Sequence, residues 1–461
     1  MKLIVVSNRL PISVKRNEKG FEYFHSSGGL VTGLQSIKDK INFSWFGNIS
    51  SKGLTESEEE QIRNECKEKF NSFPVFIDSK LNHDSYNGFC NAILWPMLHH
   101  FTDDVNQTNY NYEAYITYNS QFCDRLVEIA EEGDIIWVHD YHLMALPKLL
   151  RERLGDKVKI MFFLHTPFPT EVALNTLKCR KFILNSLNMC DLVSFHSYEY
   201  VLNYIQCCVD NKIEEPKKID AVPIGIDPTI FTDCLKKSET QEKIEYYLHK
   251  FKDKRIILGV DRTDYIKGIP QRMIAFKNFL NKYEKYRDNT VLIQIAVPSR
   301  MEVKEYQAYV SYTNEIVSEV NSTIGNVEDT KIYLLNKSVD FTTLCALYYV
   351  SDVLLITSLR DGMNLVAMEY IACQEENKGV IVLSELTGVS TTLPGSISVN
   401  SWTIEEITDG LYKALEVSSE EREIRFRTNF DNLYKFTSYE WAENNLDKLC
   451  EDWREKLNTE E

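Results

Sequence analysis

The sequence predicts an α/β protein built from doubly wound parallel sheets in two similar halves. Three observations carry this. Short β-branched runs such as Leu3-Ile-Val-Val-Ser7 and Val353-Leu-Leu-Ile-Thr357 are continuously apolar rather than alternating, so both of their faces are covered. These runs alternate with longer segments of helical period, the pattern of βαβ units. And 461 residues exceed what one core holds.

In order, strands are expected at 3–7, 74–77, 135–138, 159–164, 192–195 and 220–222, then at 255–260, 291–297, 331–335, 352–357 and 379–383. Segments 120–131, 202–211 and 273–285 fit the crossover helices. The turn-rich Pro223-Ile-Gly-Ile-Asp-Pro228 and the charged segment 236–254 mark a boundary, after which a fresh strand starts a second series. No internal repeat is visible. A last helix-like segment spans 442–456.

The balance of 52 basic and 68 acidic residues, net −16, argues against a general nucleic-acid or anionic-membrane binder, because either needs a positive field. The 11 cysteines show no CxxC pair and no metal-ligand spacing with histidine. They read as buried, reduced thiols, and adjacent Cys207 and Cys208 are poorly placed to bridge each other. The amino terminus reads as a core strand, not a signal peptide, and no apolar run approaches membrane-spanning length. A cytoplasmic location is the expectation.

Ligands of open α/β sheets sit at the carboxyl ends of the strands. Six expected strand ends carry chemistry. They are Asn8-Arg9; His139-Asp140-Tyr141-His142; His165-Thr-Pro-Phe-Pro169; Asp261-Arg262-Thr-Asp264-Tyr-Ile-Lys267-Gly268; Pro298-Ser-Arg300; and Ser358-Leu-Arg-Asp-Gly-Met-Asn364. The last runs into a helix-like segment holding Glu369, so Asp361 and Glu369 lie roughly two helical turns apart. Arg262 and Lys267, a guanidinium and an ammonium in one loop, suit a pyrophosphate. His165 reads equally as a core histidine or a ligand contact. His139 and His142 have metal-like spacing without a further ligand at a fitting distance, and His99-His100 is no stronger. Ser26-Ser-Gly-Gly29 with Gly33 is a glycine-rich turn that matches neither a dinucleotide nor a P-loop signature. The residues alone therefore reach transfer from a nucleotide-activated donor.

The strings together resemble the trehalose-6-phosphate synthase family, retaining glucosyltransferases of the GT-B type, with two Rossmann-like domains facing a central cleft. The resemblance rests on Ser7-Asn-Arg-Leu-Pro11, Ser27-Gly-Gly-Leu30, Tyr86-Asn-Gly-Phe89, Leu94-Trp-Pro96, Trp137-Val-His-Asp-Tyr-His-Leu143 and Phe163-Leu-His165. It continues through Asp264-Tyr-Ile-Lys-Gly-Ile-Pro270, Gln294-Ile-Ala-Val-Pro-Ser-Arg300, Arg360-Asp-Gly-Met-Asn-Leu-Val366 and Glu369-Tyr370. It implies an acceptor domain over 1–225, a donor domain over 226–440 and a crossing helix over 441–461. It departs from the family's pattern at Trp45-Phe-Gly-Asn-Ile-Ser50, taken as a loop near the acceptor, and at Thr166, Thr170 and Thr263.

The resemblance implies glucose transfer from UDP-glucose to glucose 6-phosphate, giving α,α-trehalose 6-phosphate and UDP, without a cofactor or metal. By the family's pattern Arg262, Lys267, His165 and Asp361 are the catalytic positions. Donor contacts come from Gly28, Gly29, Arg262, Lys267, Val339, Asp361, Gly362, Met363, Asn364, Leu365, Val366 and Glu369, with Glu369 on the ribose. Acceptor contacts come from Arg9, Tyr86, Trp95, Asp140 and Arg300. No enzymic nucleophile is implied, so the two-carboxylate logic of glycosidases does not transfer. No phosphatase domain is expected, which leaves a homo-oligomer or a complex with a separate trehalose-phosphate phosphatase as partner expectations. The alternative is a catalytically silent synthase-like regulatory subunit that binds sugar phosphates.

Overall fold

The structure is a computed structural model that describes residues 1–457 apart from 19, 26–28, 36, 39, 51, 103–110, 300–303 and 327. The chain forms two compact units, one of Met1–Ile224 with Ser438–Glu461 and one of Gly225–Thr437.

In the first unit the strands are β1 (Leu3–Arg9), β2 (Ile12–Asn17), β3 (Gly20–His25), β4 (Ser44–Ser50), β5 (Ser72–Ile77), β6 (Ile135–His139), β7 (Lys159–Phe163), β8 (Leu192–Phe195) and β9 (Ile219–Ala221). Seven of them form one sheet in the order β5-β4-β1-β6-β7-β8-β9, every neighbouring pair parallel. β2 and β3 make a separate antiparallel hairpin. The second unit holds β10 (Arg255–Arg262), β11 (Thr290–Val297), β12 (Ile332–Leu335), β13 (Val353–Ile356), β14 (Val380–Ser384) and β15 (Ile397–Val399). These lie in the order β12-β11-β10-β13-β14-β15, again all parallel.

Strand order explains where chemistry can sit. In each sheet the chain walks outward from its first strand, then returns to that strand's other side. The reversal falls between β1 and β6 in one unit and between β10 and β13 in the other. A crevice outside the carboxyl ends at such a reversal is the usual ligand site of an open α/β sheet.

Alternate residues of each strand feed two cores, which is why the runs read as continuously apolar. Ile256, Leu258 and Val260 of β10 pack with Ile293, Leu354 and Ile381 on one face. Ile257 packs with Leu292, Val353, Leu355 and Val382 on the other.

Several expectations are corrected. Residues 45–50 are strand β4, not a loop. Asn48 and Gly47 interrupt their apolar run, yet Trp45, Phe46 and Ile49 are buried. Glycine is required there, because a Cβ on Gly47 would lie 2.4 Å from the Leu10 backbone nitrogen. The β2–β3 hairpin was missed because its exposed positions are polar, and β15 because it has three residues with Ser398 turned outward. Gly29 and Gly33, expected in a loop, lie in the helix Gly29–Gln35. The helix expected at 120–131 spans Tyr112–Val127, and its first half buries Tyr115, Tyr118 and Asn119, residues that read as polar. The charged segment 236–254 is largely the helix Ser238–Lys250. The segment 442–456 is two helices, Ser438–Leu449 and Trp453–Leu457.

All eleven cysteines are unbridged thiols, ten of them buried and Cys450 partly so. No described helix is long and apolar enough to cross a membrane.

Both sheets use the same device at their amino ends. The Asp191 carboxylate, just before β8, accepts from the Ile160 N–H at 2.9 Å, Arg151 at 2.8 Å and Lys217 at 3.0 Å. The Asp352 carboxylate, just before β13, accepts from the Ile256 N–H at 2.9 Å and Arg255 at 2.7 Å. The two units thus echo each other where their sequences do not. Burial pushes the Asp191 carboxyl up, but the Ile160 N–H, Lys217 and Arg151 hold it below its ordinary range. A depressed carboxyl stabilises the fold above its unfolded pKa of about 3.9, and that contribution is lost as pH falls through the lower folded value. Asp191→Asn is expected to cost about 2 kcal/mol at pH 7, the scale of hydrogen bonds to a charged group. Hydrogen-exchange protection of the β7 and β8 amides in parent and variant should converge as pH is lowered below the carboxylate range, and an undiminished gap there would show that the charge is not what stabilises.

Candidate functional site

At the β1/β6 reversal, Arg9 ends β1 and its Cζ lies 4.8 Å over the Tyr86 ring. Tyr86 sits on an eleven-residue π-helix, Asp84–Leu94, a rare winding often found at functional positions. The His142 ring stacks on Tyr86 at 5.5 Å and nearly parallel. His142 Nδ1 is 3.6 Å from Asp140 Oδ2. Asp140 holds φ at +73°, which costs a non-glycine residue about 1–3 kcal/mol. Its N–H donates to the Phe163 carbonyl at 2.8 Å, and its Oδ1 accepts from the His165 N–H at 3.3 Å. These two bonds hold the strained residue and aim its carboxylate. Trp95 is buried, with its ring 4.2 Å from His99 and 5.6 Å from Tyr141. Arg9, Tyr86, Asp140 and Trp95 therefore belong to one neighbourhood. Arg300 and Gly28 lie outside the described residues.

His165 follows β7 and meets a second histidine. Its Nε2 is 3.2 Å from His139 Nδ1, and the His196 ring centre is 5.5 Å away. His139 is fully buried, and burial pushes its pKa down to about 3. Burial, then His139 and His196, hold His165 well below the ordinary histidine range. Both rings are thus neutral at pH 7, sharing one proton between the facing nitrogens. His165 acts as a hydrogen-bonding group and not as a cation. Trp441, on the helix Ser438–Leu449, closes this cluster with its ring 5.9 Å from His165.

At the β10/β13 reversal the loops after the two strands are tied together, with the Leu359 N–H donating to the Ile266 carbonyl at 2.7 Å. Lys267 ends the short 3-10 turn Tyr265–Lys267, and its Nζ is 2.5 Å from Asp361 Oδ2. The next residue, Gly268, has φ +62°, and a Cβ there would lie 2.1 Å from the Thr357 carbonyl, so no other residue fits. Asp361 also accepts from the Gly362 N–H at 3.0 Å, Ser358 Oγ at 3.3 Å and Asn364 Nδ2 at 3.4 Å. Asn364 in turn caps the helix Leu365–Ala372, accepting from the Ala367 N–H at 3.3 Å. Lys267 and Asp361, read from the sequence as two separate contacts, are bonded to each other. Their side chains are only 12% and 11% exposed, so the ammonium is held beside this helix start and not swung into solvent. Arg262, at the end of β10, is exposed. Glu369 lies on the capped helix, and its Oε2 accepts from the Tyr348 hydroxyl at 2.7 Å. Val339, Met363, Leu365 and Val366 are partly buried against the core beneath.

Sequence reading missed Ser358, His142, His196 and Tyr348 as partners of the residues it named, and named Asn364 without its bond to Asp361. Ser358 and Asn364 stood inside the quoted string, and their polarity at a strand end was signal enough. The His139/His142 pair was seen but read as one feature. β6 sends His139 into the core and the turn sends His142 to Tyr86. Tyr348 left no signal, being one of three aromatics in an apolar helix.

Residues 1–451 match the family model described as Glycosyltransferase family 20. The chain belongs to glycosyltransferase family 20. Within this family, a UDP-forming alpha,alpha-trehalose-phosphate synthase from Encephalitozoon cuniculi is 55% identical over 457 residues, covering 99% of this chain and 100% of that protein. The fold is likewise that of solved relatives. An E. coli trehalose-6-phosphate structure bound with UDP-2-fluoro glucose superposes with TM-score 0.87 at 30% identity, covering 97% of this chain and 99% of that one. A UDP-forming alpha,alpha-trehalose-phosphate synthase from Burkholderia xenovorans in complex with glucose-6-phosphate gives 0.86 at 28% identity, covering 97% and 100%. The α/β class of two parallel-sheet, Rossmann-like units is that of these GT-B structures.

Proposed function

We propose that the protein is a retaining glucosyltransferase that moves glucose from UDP-glucose to glucose 6-phosphate, releasing UDP and α,α-trehalose 6-phosphate. The observation that carries this reading is the β10/β13 loop pair. An ammonium fixed at a helix start, with a carboxylate further along that helix, is the chemistry a nucleoside-diphosphate sugar needs. The 55% identical relative bears the name of this activity.

In this reading the second unit binds the donor. Lys267 and Arg262 meet the diphosphate, with the free N–H groups at the start of Leu365–Ala372 beside them. Asp361, with the backbone of residues 362–365, holds the glucose, and Glu369 the ribose hydroxyls. The first unit binds the acceptor. Arg9 and Tyr86 grip its phosphate, and Asp140 takes its hydroxyls, with Trp95 behind. Arg300 joins them on the resemblance alone. The neutral His165 is suited to bonding a sugar hydroxyl.

The C1–O bond to the β-phosphate breaks and the bond from C1 to the acceptor's anomeric oxygen forms on the same face. The acceptor's proton passes to the departing phosphate oxygen. Negative charge grows on UDP as this happens, so fixed positive groups there stabilise the transition state more than the ground state. No protein nucleophile or base is required.

The test mixes purified protein, UDP-glucose and glucose 6-phosphate in EDTA and follows UDP. Release is expected with glucose 6-phosphate and to be far slower with glucose. No release with any nucleotide-glucose donor would sink the enzyme reading and leave the silent, sugar-phosphate-binding subunit. Equal release with both acceptors would remove the phosphate grip from Arg9 and Tyr86.

A further inference from the structure

We propose that Tyr348 is a specificity-determining positioning residue, its hydroxyl orienting Glu369 so that the carboxylate reads a ribose diol and discriminates against deoxyribose. The proposal rests on the reading of Glu369 as the ribose contact.

Tyr348 is fully buried on the helix Phe341–Val350, while Glu369 is only partly buried on the helix Leu365–Ala372. The tyrosine therefore approaches the carboxylate from the protein side. Its hydroxyl donates to Oε2 at 2.7 Å, and among the described residues it is the one donor recorded for Glu369, with no cation paired to that carboxylate. Burial raises the Glu369 carboxyl, and the Tyr348 bond pulls it back down. Burial, then Glu369 itself, push the Tyr348 phenol up, so it keeps the proton it donates.

The tyrosine is itself held in place. Its ring meets Tyr370 edge-on at 6.3 Å, the Gln374 amide donates to its backbone carbonyl, and the Tyr370 hydroxyl donates to the Ser351 carbonyl at 2.9 Å. A carboxylate oxygen has more than one lone pair, so the phenol fixes the rotamer and leaves acceptor capacity on the open side. Two vicinal hydroxyls need both oxygens at set positions, and a carboxylate free to rotate meets one at a time. A bland alternative exists, in which Tyr348 is a core tyrosine whose hydroxyl merely needs a partner. It predicts no dependence on the ribose.

The experiment measures binding of UDP and 2′-deoxy-UDP to the full-length parent and to Tyr348→Phe by calorimetry. The parent is expected to prefer UDP by about tenfold, the scale of one hydrogen bond to a charged group. In Tyr348→Phe that ratio should fall to about twofold, chiefly through weaker UDP binding, because the unpinned carboxylate no longer meets both hydroxyls. Loss of affinity by the same factor for both nucleotides, or an unchanged ratio, overturns the proposal while leaving Glu369 on the ribose. A parent that binds both equally overturns the ribose reading and the proposal with it. Should Tyr348→Phe not fold, Tyr348→Met serves, since it too removes the hydroxyl and keeps an apolar side chain in the buried position. The ratio should collapse there too, and a ratio kept at its parent value would overturn the proposal.

Discussion

Replacing Lys267 with alanine is expected to lower turnover by about 10²–10³-fold, read as UDP release with both substrates saturating, which is the scale of removing one preorganised group from a developing oxyanion. Three features of the site lead there. The ammonium is 12% exposed, so water screens it little. It is fixed by Asp361 at 2.5 Å and by the turn that ends at Gly268, so little reorganisation is needed as charge appears on the departing UDP. And Asp361 keeps its bonds from the Gly362 N–H, Ser358 and Asn364 when the lysine is removed, so the loop should keep its shape. Arg262→Ala should cost less, about tenfold, because an exposed guanidinium works against solvent. The comparison is the stronger test. If Arg262 proves the costlier of the two, the diphosphate sits on the exposed side of the loop and Lys267 serves chiefly to hold Asp361.

The part of the fold legible in the sequence is the part with two covered faces. β6, β8, β11 and β13 have apolar residues on both sides and showed as runs. β4 did not, because its register against β1 demands Gly47 and its ladder carries Asn48. The hairpin β2–β3 did not, because it is separate from the buried sheets. The repeated amino-end device at Asp191 and Asp352 was invisible for another reason. A single aspartate before a strand is common, and only the folded sheets show that each of the two ties its own strand to the start of the neighbouring one.

Site residues behaved in the same way. Those at strand ends, such as Arg9, Asp140, Lys267 and Asp361, were legible as candidates because strand ends are where such sheets bind ligands. What was not legible is the layer that reaches those residues from elsewhere in the chain. His139 meets His165 across 26 positions and Tyr348 meets Glu369 across 21, and no spacing rule links them. That layer sets which state the contacting group is in. His165 reads as ambiguous alone, and becomes a neutral hydrogen-bonding ring once its burial, and then His139 and His196 beside it, are seen.

The same layer gives the largest stability effect. Arg272, on the helix Ile269–Lys282, is completely buried beneath the loops that follow β10 and β13. Its guanidinium donates to Asp261 at 2.5 Å, to the Gln294 side-chain oxygen at 2.6 Å and to Thr357 Oγ1 at 3.2 Å. Asp261 lies near the end of β10, Gln294 in the middle of β11 and Thr357 just after β13, and Thr357 passes the connection on to the Gly268 carbonyl at 2.9 Å. Burial raises the Asp261 carboxyl, and the Arg272 and Lys267 charges oppose that rise. Space for the guanidinium exists because β10 carries glycine at 259, where a Cβ would lie 2.3 Å from Arg272 Nη1. Arg272→Met would leave an aspartate and an amide buried without their partner, and should destabilise the second unit by about 3–5 kcal/mol. Hydrogen exchange of the β10, β11 and β13 amides is the suitable measure, since whole-chain unfolding of a two-unit protein is not two-state. The second variant decides the cause. Arg272→Met with Asp261→Asn removes the buried charge as well as its partner, and should recover a large part of the loss. If it recovers none, packing around the guanidinium stem and not the uncompensated carboxylate accounts for the effect. If Arg272→Met alone costs under about 1 kcal/mol, this network is not what holds the loops after β10 and β13 together.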